Sequence, residues 1–254
     1  MNQYFYENFE ITELSYFEYK NLVKNLFTED LFILNQIFEQ LIDRSVKDKK
    51  NIDIFNKIKI LLFLRSLTLG EEINLTIRDK NYFYDVSSII KNISINNEDI
   101  VTDKIILKKP NFLFTKSVLD EVINSIQKII IDDREINFSN LTKKQKNIIF
   151  NEISDSNLLD IVGSIVKNLE KDNLKLNNLN LNLHNGEILY FLKNIFLTDL
   201  NSLYDFEYSL IRELKLNTTD FKNYSFSELK ILFNKLSEEF KENKNPSGIN
   251  LNGK

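Results

Sequence analysis

The single histidine, His184, lies in Leu183-His184-Asn185-Gly186, just ahead of a predicted helix. An imidazole there could act as a general base if a nucleophile and an orienting carboxylate converged on it. No motif around it supplies either, so the competing reading is a turn histidine whose ring is satisfied by backbone groups or water. Asp132, Asp133 and Glu135 offer oxygen ligands for a hard cation. Their spacing and the lack of a glycine depart from a twelve-residue calcium loop, which favours a solvated turn. Glu71 and Glu72 are adjacent carboxylates, and neighbours in a strand face opposite sides, so the two cannot form a catalytic pair with each other.

The remaining chemistry is sparse. Lys47, Lys49 and Lys50, and then Lys143, Lys144 and Lys146, are the dense basic clusters, and neither alternates with aromatics as a base-stacking platform would. With five glycines and none in a phosphate-cradling order, P-loop and dinucleotide fingerprints are absent. Cysteine is missing, which removes disulfides, thiol nucleophiles and thiolate metal sites, and one histidine leaves almost nothing for zinc. No catalytic residue, metal or cofactor is expected from the sequence.

The elements that would position these residues begin with helices. Ser15 and Glu18 have the form of a capping box ahead of Tyr19, Leu22, Val23 and Leu26, which share one helical face. Thr28 is expected to open a second helix, with Leu31, Leu34, Ile37, Phe38, Leu41 and Ile42 as its apolar stripe. After a polar run at 47–51, a third helix starts near Asp53 and is apolar almost all round, so it belongs at the centre of a core. Gly70 should end it in the left-handed conformation.

Beyond Gly70 the apolar period falls to two. Ile73, Leu75 and Ile77, the polar turn 78–81 and the run 82–86 predict a β-hairpin. A third strand over 104–108 is closed by Pro110, a short helix covers 117–127, and strands at 129–131 and 135–138 flank Asp132-Asp133-Arg134. Helical periodicity returns at 142–153, 157–169, 187–197 and 200–216. Ser225 and Glu228 then cap a last helix carrying Leu229, Ile231, Leu232, Leu236 and Phe240. The leucine alternation at 174–183 reads as a strand or extended loop. The expected fold is α+β: helices over 1–70, a small antiparallel sheet within 71–140, helices over 141–243 and a loose tail at 244–254.

Composition bounds what such a fold does. Hydrophobic content of 43% with 20 Phe and 10 Tyr is enough to build cores, and Phe32, Phe38, Phe55, Phe63, Phe150, Phe191 and Phe196 fall on expected buried faces. Thirty-three basic against 37 acidic residues give a net charge of -4, which opposes binding to a phosphate backbone, so nucleic acid is not expected as a partner. The first residues lack the basic head and apolar run of a secretory signal, and no stretch approaches the ~18 apolar residues of a membrane span.

The segment Leu61-Leu62-Phe63-Leu64-Arg65-Ser66-Leu67-Thr68-Leu69-Gly70-Glu71-Glu72-Ile73-Asn74-Leu75 resembles the signature of the T-even-like phage baseplate-hub assembly proteins. In that family an apolar helix ends in an Arg-small pair, a Gly-Glu step follows, and a small sheet begins. The Lys109-Pro110-Asn111-Phe112 exit, Leu141-Thr142-Lys143-Lys144-Gln145, Ser202-Leu203-Tyr204-Asp205-Phe206-Glu207-Tyr208 and Phe226-Ser227-Glu228-Leu229-Lys230 continue the resemblance, which spans roughly residues 55 to 240. Some relatives carry cysteines at the middle hairpin; Arg78-Asp79-Lys80-Asn81 has none, so a zinc-held version does not apply. The first fifty residues or so match weakly.

The resemblance implies a protein that acts by binding other phage tail or baseplate-hub proteins, as a hub subunit or a chaperone-like assembly factor. It further implies work in the host cytoplasm during assembly or in the virion tail baseplate, and is compatible with a homo-oligomer. Arg65, Glu71 and Glu72 are its candidate partner contacts, projecting from the helix-to-sheet corner, where charge pairs would fix orientation more than affinity. The local alternative for Arg65 and Gly70 is simple helix-end chemistry. Two rival functions are a small hydrolase or transferase with an unrecognised carboxylate site, and a host-directed binding protein.

Overall fold

Side-chain caps decide where the helices start. Ser15 Oγ accepts from the Glu18 amide at 3.2 Å while the Glu18 carboxylate accepts from the Ser15 amide at 2.9 Å, closing the expected capping box on α1 (Tyr16–Asn25). Helix α2 (Leu31–Ser45) starts at Asp30 rather than Thr28. Asp30 Oδ1 accepts from the amides of Phe32 and Ile33, and Thr28 Oγ1 only accepts from the Asp30 amide. A carboxylate is the stronger acceptor for amides at the positive end of a helix, which explains the shift. Asp53 caps α3 (Ile54–Leu69) through the Asn56 amide at 2.8 Å, as its position predicts.

The computed structural model describes residues 2–47, 52–77, 80–96, 98, 100–101, 105–107, 126–131, 134–146, 155–177 and 179–244. Before α1 it shows a hairpin that sequence reasoning missed, β1 (Gln3–Tyr6) and β2 (Phe9–Thr12), turning through Glu7 at φ 51°. Ile11 is fully buried, and the Tyr6 and Phe63 rings stack at 4.7 Å. Gly70 ends α3 at φ 97°, ψ 173°, an extended conformation open essentially to glycine alone, rather than the left-handed helical one. That geometry launches the chain straight into β3 (Glu72–Ile77), which pairs antiparallel with β4 (Lys80–Asp85). The returning strand stops one residue short of Val86, because Asp85 accepts from the Ser88 amide and caps α4 (Val86–Lys91).

The strands make several small antiparallel sheets rather than one. Strand β5 (Ile93–Ser94) leads to a four-stranded sheet ordered β6 (Ile100–Val101), β7 (Ile105–Leu107), β8 (Ile126–Ile131), β9 (Arg134–Asn137). Ile126 and Gln127, expected in the short helix, belong to β8; the rest of that helix, Pro110 and Phe150 lie outside the described residues. The Thr142–Gln145 pair caps a helical turn at 143–146, and the remainder of the helix predicted over 142–153 also lies outside them. After α5 (Asp155–Leu169), the leucine alternation forms the hairpin β10 (Asn173–Leu176) and β11 (Leu179–Asn182), and β5 joins its open edge. Helices α6 (Gly186–Phe196), α7 (Leu200–Leu214) and α8 (Phe226–Lys244) complete an α+β fold.

Two clusters of buried apolar residues result. The larger draws on α1, α2 and α3 together with β10, β11 and α6 to α8, so the first and last helical regions share one core. Tyr16, Tyr19, Phe38, Leu61, Phe196 and Phe221 are among its fully buried side chains. The hydroxyls of Tyr16 and Tyr19 donate to the carbonyls of Leu203, at 2.6 Å, and Phe196, at 3.0 Å, pinning α1 to the C-terminal helices. The smaller cluster packs Ile100, Ile105, Leu107, Ile126 and Ile129 of the four-stranded sheet, with Phe138, against Ile161 and Ile165 of α5.

Candidate functional site

The corner between α3 and β3 separates the three expected contact residues. Arg65 does not project: it is 8% exposed, its Nε donates to the Ile195 carbonyl at 3.2 Å, and its guanidinium also donates to the Gly70 carbonyl. One cation thus ties the ends of α3 and α6, where unpaired carbonyls gather. Burial pulls its pKa below the ordinary arginine value, partly opposed by the nearby Tyr19 hydroxyl. This is a correction to the expectation of an outward-facing arginine; the helix-end role explains the residue. Glu71 and Glu72 are exposed.

His184 is not a solvated turn residue either. Its Nε2 lies 2.9 Å from Asp172 Oδ2, with both side chains buried, and Asp172 Oδ1 accepts from the Asn96 amide at 2.6 Å. The chain leaves the larger core through Asn96 and returns through Asp172, so this carboxylate joins the two crossing segments and anchors them to His184 after β11. Asn182 strengthens the joint by donating from Nδ2 to the Leu169 carbonyl at 2.8 Å. His184 Nδ1 is buried without a hydrogen-bond partner among the described residues. Asp172 escaped sequence reasoning because twelve residues and a hairpin separate it from His184; the pairing of the β10–β11 ends is the signal that would have found it.

Other chemical candidates are dispersed. Glu135 pairs with Lys128 at 2.6 Å on the exposed side of the four-stranded sheet, while Asp132, Asp133, Lys49 and Lys50 lie outside the described residues. Lys47 pairs with Glu10, Lys143 and Lys144 are exposed, and Lys146 sits over the Phe138 ring at 4.7 Å. Among the expected core aromatics Phe38, Phe191 and Phe196 are buried, whereas Phe32, Phe55 and Phe63 are half-buried.

The surface feature that stands out is α7. Its inner stripe, Leu203, Phe206 and Leu210, packs inward, with the Phe206 ring 5.5 Å from Phe226 and 5.3 Å from Phe233. Its outer stripe is also apolar: Tyr204, Tyr208 and Ile211, at intervals of four and three, are 45%, 65% and 38% exposed. Helix α1 flanks this ridge on one side, where Lys20 pairs with Glu207 and Lys20 and Lys24 approach the Tyr204 ring at 5.2 and 5.4 Å. On the other side a cavity of about 490 Å³ opens between α7 and α8, lined by Leu210, Leu214, Phe233 and Leu236 and rimmed by the Arg212–Glu213 ion pair. Aromatic rings held rigidly on a helix, with a hydroxyl at the rim, are side chains that gain most from burial against a partner at little entropic cost.

Comparison with family models, with curated proteins and with solved structures finds no match to this chain.

Proposed function

We propose that this protein works by contact with other proteins, without making or breaking bonds, as a structural or chaperone-like assembly component of a contractile-tail baseplate hub. The observation that carries the contact reading is the exposed Tyr204–Tyr208–Ile211 ridge on a helix whose opposite stripe is locked into the larger core. A helix with two apolar stripes has one more than its own chain needs. The resemblance of residues 55 to 240 to the hub-assembly proteins supplies the setting. Arg65, being internal, drops out as a contact, Glu71 and Glu72 stay available at the α3–β3 corner, and the α7 ridge is added to them.

Affinity capture of the tagged full chain from infected cells, followed by mass spectrometry, tests the proposal. Recovery of tail-tube or hub proteins is expected, and recovery of metabolic enzymes alone would contradict it. Mass spectrometry of purified virions separates the two roles, since a hub subunit leaves with the particle and an assembly factor does not.

A further inference from the structure

Next to the α7 ridge, α1 presents Phe17, Asn21 and Lys24, spaced by four and three residues on one face. Lys24 Nζ stands over Tyr204, and Lys222 Nζ stands over Phe17 at 5.2 Å. Both lysines are exposed, and among the described residues neither has a carboxylate in ion-pair range. The nearby carboxylates are mostly committed. Glu18 serves Ser15, Glu207 serves Lys20, Asp220 accepts from the Asn217 amide, and Glu228 closes the capping box with Ser225. Asp205 is the exposed acid left beside the ridge.

The face therefore carries uncommitted positive charge amid aromatic rings, although the chain as a whole is at -4. We infer that the α1–α7 face, from Lys222 over Phe17 to Lys24 over Tyr204 and on to Tyr208, receives an acidic segment of a protein partner. This rests on the contact function proposed above and names the chemistry of its partner. Each ammonium already lies over a ring face, so its attraction for an anion acts beside apolar surface that the partner would cover and dry. Phe17 and Lys24 are two helical turns apart, about 10 Å, a span that an extended segment covers in about three residues. A nucleic acid fits less well, because two cations neutralise few phosphates and the net charge repels the rest.

The test uses the full chain with a short fluorescent peptide of alternating Glu and Leu, its Gln-for-Glu counterpart, and single-stranded oligothymidylate as probes. The Glu peptide is expected to bind, to weaken as salt rises, and to lose about tenfold in affinity in the Lys24→Gln/Lys222→Gln double variant. A Lys143→Gln/Lys144→Gln control should bind as the unaltered chain does. No binding of the Glu peptide, equal binding of the Gln peptide, an unaffected double variant, or tighter binding of oligothymidylate would each overturn the inference. Capture of tail proteins by a Lys24→Gln/Lys222→Gln chain at the unaltered level would remove this site while leaving the contact function standing.

Discussion

The larger core is built from helix faces and tied by side-chain caps and tyrosine hydroxyls, while the smaller one is an isoleucine-rich sheet closed by a single helix. In the first, Tyr16 and Tyr19 satisfy carbonyls at the ends of distant helices, so packing and hydrogen bonding specify the same arrangement. In the second, the side chains of Ile105, Ile126, Ile129 and Ile161 pack as apolar filling between the sheet and one helix. The exposed ridge on α7 belongs to the first region. Among the described residues the second is joined to it through Asn96, Asp172, Asn182 and His184, and a region so attached is the one expected to open first.

The largest effect expected from breaking that contrast is Phe196→Ala. Removing this fully buried ring from the larger core should cost about 5 kcal/mol in denaturant unfolding, the top of the range for such a change, against about 3 kcal/mol or less for Phe138→Ala, the same change in the smaller one. Similar costs would erase the distinction. Next is Asp172→Ala, which strips the acceptor from the Asn96 amide and from His184. A loss of about 3 kcal/mol is expected, with the smaller core exchanging its amide hydrogens ahead of the larger. A single transition shifted only slightly would show that the joint does not couple the regions. Gly70→Ala follows at about 1–3 kcal/mol, since no other residue type adopts φ 97°, ψ 173° comfortably; a neutral result would mean that the turn relaxes freely.

Alkaline pH should act on the larger core first. Burial pushes the Tyr19 hydroxyl up to about 12 from an ordinary value of 10, opposed by the Thr198 hydrogen bond and by Arg65, and burial raises Tyr16 further still. A folded-state pKa above the unfolded one means that this stabilisation is complete below pH 10 and is lost as pH climbs from there toward 12. Circular dichroism across that range should show the loss; Tyr19→Phe should lessen it, and Tyr16→Phe with Tyr19→Phe should flatten it. The described residues of the smaller core include no tyrosine, so its own dependence should be weak.

The same contrast explains what was legible in the sequence. Helix signals are local: Ser15 with Glu18, Asp53 and Ser225 with Glu228 each announce a start within four residues, and the α+β order followed from them. The β1–β2 hairpin was missed because Tyr4, Phe5 and Tyr6 give no clean alternation, and its partner strand is fixed by burial of Ile11 rather than by turn chemistry. For Arg65 the sequence predicts exposure, because an arginine at a helix end is usually solvated. Only the meeting of α3 with α6, which sets Ile195 opposite it, turns it inward. Asp172 with His184, and the ridge on α7, depend likewise on long-range packing. Tyr204 and Phe206 are alike in sequence, and the fold alone decides which is exposed.

The proposed contact function rests on Tyr204 and Tyr208 being surplus to the fold. Tyr204→Ala/Tyr208→Ala should leave the melting temperature nearly unchanged, within the small shifts typical of surface positions (about 0.5 kcal/mol each), yet abolish capture of tail proteins from infected cells. A double variant that unfolds, or one that retains its partners undiminished, would contradict the account.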